Sequence, residues 1–271
     1  MSEKKFIDIR KLLKEKNPKL EKWIPGFIIG YLKKIFHQEE INRILIENKD
    51  LEVRAFCNDL QKRFGLQFKG KGLENVPTSG GAIFVANHPL GGFDALGVVQ
   101  TIAPIRTDLK FVVNDVMMNI KNIESLMVGV NKHGVKSKES IEKVNELFLS
   151  DKAAFIFPAG LVSRRKNGKV IDSEWKKTFV VRAKKFKKEI IPIHIDGELS
   201  SFFYRLSNMR KRLGVKANVE MLYLANETFK LKNSEFTITV GKPISYKMFD
   251  KSKSDNEWAN EVKRIVYGLK K

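Results

Sequence analysis

The sequence predicts an α/β protein with a mostly parallel sheet flanked by helices. Two observations carry this reading. Beyond about residue 80, short apolar runs bounded by turn residues alternate with stretches of helical period. The runs are apolar throughout, as strands covered on both faces must be. A third observation bounds the size: 271 residues, 42 % of them apolar, lie near the upper end of what one core supports. One main domain with an appendage is therefore expected, divided into an N-terminal helical segment at 1–69 and an α/β domain at 70–271.

The first 65 residues repeat apolar positions at three- and four-residue spacing: Ile9, Leu12 and Leu13, then Ile41, Ile44 and Leu45, then Val53, Phe56, Cys57, Leu60 and Phe64. Asn17-Pro18 and Trp23-Ile24-Pro25-Gly26 interrupt the pattern, because proline disfavours helix at the residue before it and suits the first turn of the next. Several short helices should follow one another. The one at 23–36 holds ten uncharged residues between Lys22 and Lys33. It is too short to cross a bilayer. It is long enough to lie in a membrane interface, with Trp23 and Tyr31 at head-group level and Lys22, Lys33 and Lys34 toward phosphates. A core-packing helix capped by lysines fits the same residues.

After Gly70 the period changes. Residues 81–87 form an apolar run between Pro77-Thr78-Ser79-Gly80-Gly81 and a glycine-rich turn, which reads as a buried strand feeding a loop. Helix is expected at 94–102, strand at 110–114 and 126–131, amphipathic helix at 138–149 and strand at 153–157. Helix 176–187 and strand 190–195 follow, then a β-rich stretch at 217–240 turning near Asn233-Ser234. A last helix at 256–269 carries Trp258, Val262, Ile265, Val266 and Leu269 on one face.

The charge and the cysteine count exclude several classes. A lone Cys57 cannot build a disulfide framework, and His37, His88, His133 and His194 lack the second cysteine of the usual zinc spacings, so neither metal nor cofactor is expected. No run of 18 apolar residues occurs, and residues 1–16 show no signal-peptide centre, which places the chain on the cytosolic side. The formal charge is +20, distributed as +6 over 1–70, zero over 71–160, +8 over 161–190, +2 over 191–241 and +4 over 242–271. Such an excess implies an anionic partner, either a lipid leaflet or a nucleic-acid backbone. The βαβ pattern, the absence of a finger or aromatic RNA-binding block, and an amphipathic segment beside the charge favour the membrane surface and no nucleic acid.

The chemically informative stretch is Asn87-His88-Pro89-Leu90-Gly91-Gly92-Phe93-Asp94. A histidine at the end of a buried strand, followed across a glycine loop by an aspartate at a helix start, is what a general base with an orienting carboxylate requires. The carboxylate fixes the tautomer and the other ring nitrogen takes a proton. A helix-capping Asp94 beside a turn histidine would have the same spacing. His194, inside an alternating strand, reads as a core residue, and His133 as a surface one.

The chain resembles the phospholipid and glycerol acyltransferases exemplified by 1-acyl-glycerol-3-phosphate acyltransferase. Asn87-His88 to Asp94, Val128-Gly129-Val130-Asn131-Lys132, Phe157-Pro158-Ala159-Gly160 and Ile190-Ile191-Pro192-Ile193-His194-Ile195 occur in the family's order, and 240–244 resembles its terminal strand. The opening helices and the Asn-His-Pro-Leu-Gly-Gly run are similar to a hemolysin-like branch that includes lyso-ornithine and lyso-glycine lipid O-acyltransferases. The resemblance implies an acyltransferase-like fold and a fatty acyl group moved from acyl carrier protein or coenzyme A to a lipid hydroxyl. It implies His88 as base and Asp94 as its orienter. Backbone N–H groups would stabilise the oxyanion, with the Gly160 turn offering close approach. Asn87, Gly91, Gly92, Pro158 and Gly160 would shape the site, and Lys132, Arg164 and Arg165 would meet acceptor or donor anions. No Gly-x-Ser-x-Gly occurs, which speaks against a serine hydrolase.

Two departures shape the expected substrate. Five residues separate His88 from Asp94 where the family has four, an excess that Gly91-Gly92 can absorb. Where the family reads Phe-Pro-Glu-Gly-Thr-Arg-Ser, this chain has Phe157-Pro158-Ala159-Gly160-Leu161-Val162-Ser163. Val162 cannot replace a bidentate guanidinium on an acceptor phosphate. The expectation is a peripheral enzyme on the cytoplasmic face of the inner membrane, acting on a lyso-aminolipid. Acylation of 1-acyl-glycerol-3-phosphate or glycerol-3-phosphate is the alternative within the class, and a non-catalytic basic membrane- or nucleic-acid-binding protein the alternative outside it.

Overall fold

In the computed structural model, residues 6–16, 23–113, 120–130 and 138–270 are described. A seven-stranded sheet runs in the order β1-β9-β8-β2-β5-β3-β4. Its strands are β1 (Gln67–Lys71), β2 (Ala82–Ala86), β3 (Lys110–Val113), β4 (Met127–Gly129), β5 (Ala153–Ile156), β8 (Glu189–Ile195) and β9 (Glu235–Val240), while β6 (Arg164–Lys166) and β7 (Lys169–Ile171) form a separate antiparallel hairpin. Pairing is parallel except between β8 and β9, so the predicted α/β class with a mostly parallel sheet holds.

The central strand β2 shows why. All five of its residues are buried, and they alternate between two cores. Ala82, Phe84 and Ala86 point to a layer containing the helices Gln38–Glu47, Val53–Phe64 and Gly92–Ile102. Ile83 and Val85 point to a layer under the helices Lys138–Leu149, Thr178–Phe186 and Asp255–Gly268. A strand covered on both faces must be apolar at every position. The last helix is fixed at its start by a capping box between Ser254 and Glu257 and buries Trp258, Ala259, Val262 and Val266.

Other expectations change. The boundary expected between 69 and 70 falls inside β1, and Ile44, Leu45, Phe56, Cys57 and Phe64 share one core with β2, β8 and β9. The β-rich stretch expected at 217–240 is mainly helical: a 3-10 turn at Val219–Tyr223 and an α-helix at Leu224–Lys230 precede β9. Its branched and aromatic residues have strand propensity, but packing of Met221, Leu224 and Leu231 around Phe203 and Tyr204 decides otherwise. A helix at Ser201–Arg212 and the β6–β7 hairpin have no counterpart in the sequence reading. Beyond β9, regular pairing stops at Val240 and Ile244 makes one bridge to Ile190. The amphipathic helix expected at 23–36 is present as Gly26–Ile35, entered through Pro25. No helix among the described residues is long and apolar enough to cross a membrane.

His194 is 4 % exposed in β8, its ring edge-on to Tyr267, and burial pushes its pKa down from 6.5 to about 4. Between those values the unfolded chain takes up a proton here that the folded chain refuses. The contribution is therefore complete above pH 6.5 and lost as pH falls toward 4. Thermal unfolding midpoints followed across this range should fall more steeply for the native protein than for His194→Gln.

Candidate active site

His88 leaves the carboxyl end of β2, the middle strand of the sheet. Because β2 pairs in parallel with β5 and β8, the segments after all three strands emerge at the same edge. That edge is where ligands of open parallel sheets bind. The side chain of Asn87 uses its amide on β8, donating to the Ile195 carbonyl at 2.8 Å and accepting from the Ile195 N–H at 2.7 Å. At 3 % exposure it stitches two strand ends together, which corrects the expectation of a substrate contact.

The loop then brings His88 Nδ1 to 2.7 Å from Asp94 Oδ2. The same oxygen accepts the Leu90 N–H at 2.9 Å. Gly91, at φ 71° and ψ −125°, absorbs the extra residue in a conformation that L side chains rarely adopt. Gly92 starts the next helix with φ outside the left-handed region and open space around it. Asp94 is fully buried. Burial pushes its carboxyl above the usual range, and the His88 ring and the Leu90 N–H pull back against that shift. With Nδ1–H donated to Asp94, Nε2 is the ring atom left to accept a proton, and the imidazole is one-fifth exposed.

The Phe157-Pro158-Ala159-Gly160 turn follows β5. Phe157 stacks on the His88 ring with centroids 4.2 Å apart and holds its plane. Pro158 is buried and its carbonyl accepts from the Lys176 N–H at 3.1 Å. Gly160 sits at φ 65°, with the Lys176 ammonium 3.4 Å from where a β-carbon would stand. Its own N–H is bonded to the Phe157 carbonyl at 3.0 Å, so the glycine closes the turn and is not a spare oxyanion donor.

Arg164 is also corrected. It is 8 % exposed, its guanidinium lies 2.9 Å from Glu220 Oε1, and it bonds Ser207 Oγ and the Val162 carbonyl as well. Burial opposes the charge of Glu220, but its own N–H, Arg164 and Arg210 outweigh this and hold the carboxyl below its usual range. An arginine committed to such a network is unavailable to a substrate, and breaking the pair would cost about 3–5 kcal/mol. Arg165 is one-third exposed, bonds Glu198 at 2.6 Å and lies over the Tyr204 ring. Lys132 and His133 lie outside the described residues.

A residue unremarked in the sequence, Asp172, joins the separate blocks. Its Oδ1 accepts from the His88 N–H at 3.2 Å and from Ser163 Oγ at 2.5 Å, and its Oδ2 accepts from Trp175 Nε1 at 2.8 Å. The Ser163 N–H returns a bond to the His88 carbonyl at 2.8 Å. It lies three residues before a tryptophan and two before Glu174, and no local pattern in the sequence marks it. A groove of about 530 Å³ between the starts of β3 and β4 and the helix Lys138–Leu149 lies at the opposite end of the strands, remote from this chemistry.

A parallel-sheet edge carrying a buried Asp, an oriented His and a Phe-Pro turn marks an enzyme of acyl transfer. The chain belongs to the acyltransferase family, whose model, described as Acyltransferase, matches residues 11–271. It is 44 % identical over 265 residues to a lyso-glycine lipid O-acyltransferase of Bacteroides thetaiotaomicron, covering 97 % of each chain. It is 41 % identical over 265 residues to a lyso-glycine lipid O-acyltransferase of Phocaeicola vulgatus, covering 97 % of this chain and 95 % of that one. Its fold is similar to the crystal structure of the 1-acyl-sn-glycerophosphate acyltransferase PlsC of Thermotoga maritima, with TM-score 0.51, 18 % identity, and coverage of 97 % and 98 %. The family resemblance carried by the four blocks, and its lyso-aminolipid branch, are thereby borne out.

Asp94→Asn should lower kcat/KM about 10²–10⁴-fold in an acyl-transfer assay while near-ultraviolet circular dichroism is unchanged. Asp172→Asn would set an amide N–H against either Trp175 or the Ser163 and His88 donors. It should lower kcat roughly 10–100-fold with little change in KM, through displacement of the His88 loop.

Proposed function

We propose that this acyltransferase is a peripheral membrane enzyme that transfers a fatty acyl group from acyl carrier protein or coenzyme A to the hydroxyl of a lyso-aminolipid, a lyso-glycine lipid foremost. The observation that carries the reaction is the His88 Nδ1 to Asp94 Oδ2 contact. His88 Nε2 takes the proton of the acceptor hydroxyl as its oxygen bonds to the thioester carbonyl. The tetrahedral oxyanion collapses, the C–S bond breaks, and the departing thiolate takes up the proton held by His88. No acyl-enzyme forms, and Asp94 stabilises the imidazolium in the interval.

The acceptor is argued from the two lyso-glycine lipid O-acyltransferases to which the chain is similar along nearly its whole length. The local chemistry agrees. Val162, 2 % exposed, stands where a phosphate-gripping arginine is expected, and Arg164 is bound to Glu220. A glycine head group presents a carboxylate, a smaller anion. Lys176 beside Gly160, the one-third-exposed Arg165 and Lys132 are the candidate cations for it or for the donor's phosphates. Docking on an anionic cytoplasmic leaflet is supported by the +20 charge and by the helix Gly26–Ile35 with Phe27 78 % exposed and Trp23, just before it, 84 % exposed.

Purified protein given acyl carrier protein or coenzyme A thioesters and a panel of lyso-lipids should convert lyso-glycine lipid to its O-acylated product, read by mass spectrometry, at least tenfold faster than 1-acyl-glycerol-3-phosphate. Preference for the phosphate acceptor would overturn the substrate assignment, and full turnover by His88→Ala would overturn the base.

A further inference from the structure

The helix Ser201–Arg212 has two apolar faces. One, with Phe203 and Tyr204, is buried against the 3-10 turn at Val219–Tyr223 and its surroundings. The other presents Phe202, Leu206, Met209 and, just past the helix end, Leu213 at intervals of three and four residues. Met209 is 54 % exposed, Leu213 71 % and Phe202 41 %. Arg205 and Arg212 flank this stripe, and with Phe202, Leu206, Asn208 and Met209 they line a shallow groove of about 470 Å³.

The stripe adjoins the other exposed apolar helix. Phe202 packs edge-on against Tyr223 with centroids 5.0 Å apart, and the Tyr223 hydroxyl bonds the Tyr31 hydroxyl at 2.9 Å. Tyr31, on the helix that also carries the exposed Phe27, is therefore linked through Tyr223 to Phe202, although 171 residues separate the two in sequence. Four exposed basic residues, Arg205, Lys211, Arg212 and Lys216, and no acidic one occur between 199 and 219, where Arg210 is buried against Glu220, and two lysines and no acidic residue between 23 and 36. Exposed apolar groups with cations of one sign around them match a bilayer surface bearing anionic lipid. Each long basic side chain can lay its stem along the apolar stripe and hold its charge at the phosphates.

We infer that the outer face of Ser201–Arg212, continued by Leu213 and joined through Tyr223 to Tyr31, is a second membrane-docking element that seats the protein on anionic lipid together with Gly26–Ile35. The inference rests on the membrane reading above and adds a second, sequence-distant contact to it. A peripheral enzyme held at two elements has a fixed tilt on the leaflet, whereas one held at a single helix can swivel.

The test uses the full chain, whose single native cysteine, Cys57, is buried with its thiol pushed up to about 11 and therefore resists labelling. Met209→Cys and Phe27→Cys are each labelled with bimane and bound to vesicles of equal parts phosphatidylglycerol and phosphatidylcholine carrying shallow nitroxide lipids. Quenching at both positions is expected. Arg205→Glu with Arg212→Glu should weaken vesicle binding about fivefold per charge removed. Quenching at Phe27→Cys alone overturns the second element and leaves the first standing. Quenching at neither, with no flotation of the native protein, overturns the membrane reading as a whole. Equal binding to pure phosphatidylcholine overturns the anionic preference, and protection of the Met209→Cys label by acyl carrier protein but not by vesicles assigns this face to that protein instead.

Discussion

Parallel pairing of β2 with both neighbours is the constraint on which the site depends. Val85 stands opposite Ile156 and Ala86 opposite Ile193, so the next residues of each strand leave the sheet together. His88 then meets Phe157 from β5, while Asn87 ties β2 to the end of β8. An antiparallel neighbour on either side would have sent one of these segments to the far edge. Asp172, arriving from the β6–β7 hairpin, closes the arrangement by accepting from the His88 backbone and Ser163 with one oxygen and from Trp175 with the other. His88 is thus held from its ring, its backbone and its flat face at once.

Much of this was legible. Buried parallel strands must be apolar at consecutive positions, so β2, β5 and β8 and the three longer helices between them stand out in the sequence with errors of one or two residues, whereas the short helix Lys121–Glu124 does not. The His88–Asp94 pair was legible because its spacing has a mechanism. What escaped was whatever depends on contact between distant segments. Residues 219–230 have the composition of strands, yet they wind into helical turns because Phe203 and Tyr204 offer a surface to pack on. Asp172 touches residues up to 95 positions away, and no local pattern announces that.

Charge shows the same division. The basic run at Arg164, Arg165 and Lys166 reads from the sequence as one patch, but its members do different work. Arg164 is buried against Glu220, Arg165 is two-thirds covered against Glu198 and Tyr204, and Lys166 is exposed. Net charge counts all three alike, whereas an electrostatic surface includes only those that remain in water. The +20 excess overstates the field a ligand would meet near the Phe-Pro turn and describes the outer faces better.

The conformation of Gly91 links two features that look independent on paper. The loop from His88 to Asp94 holds one residue more than the family pattern, and the chain takes up that residue by turning through φ 71° at a position where an added β-carbon would also press to 3.1 Å from Leu224. Loop length and the missing side chain are therefore epistatic: each is tolerated because of the other. Natural chains that keep the longer loop should keep glycine at this place, and any lineage that replaces the glycine should also show the loop shortened by one.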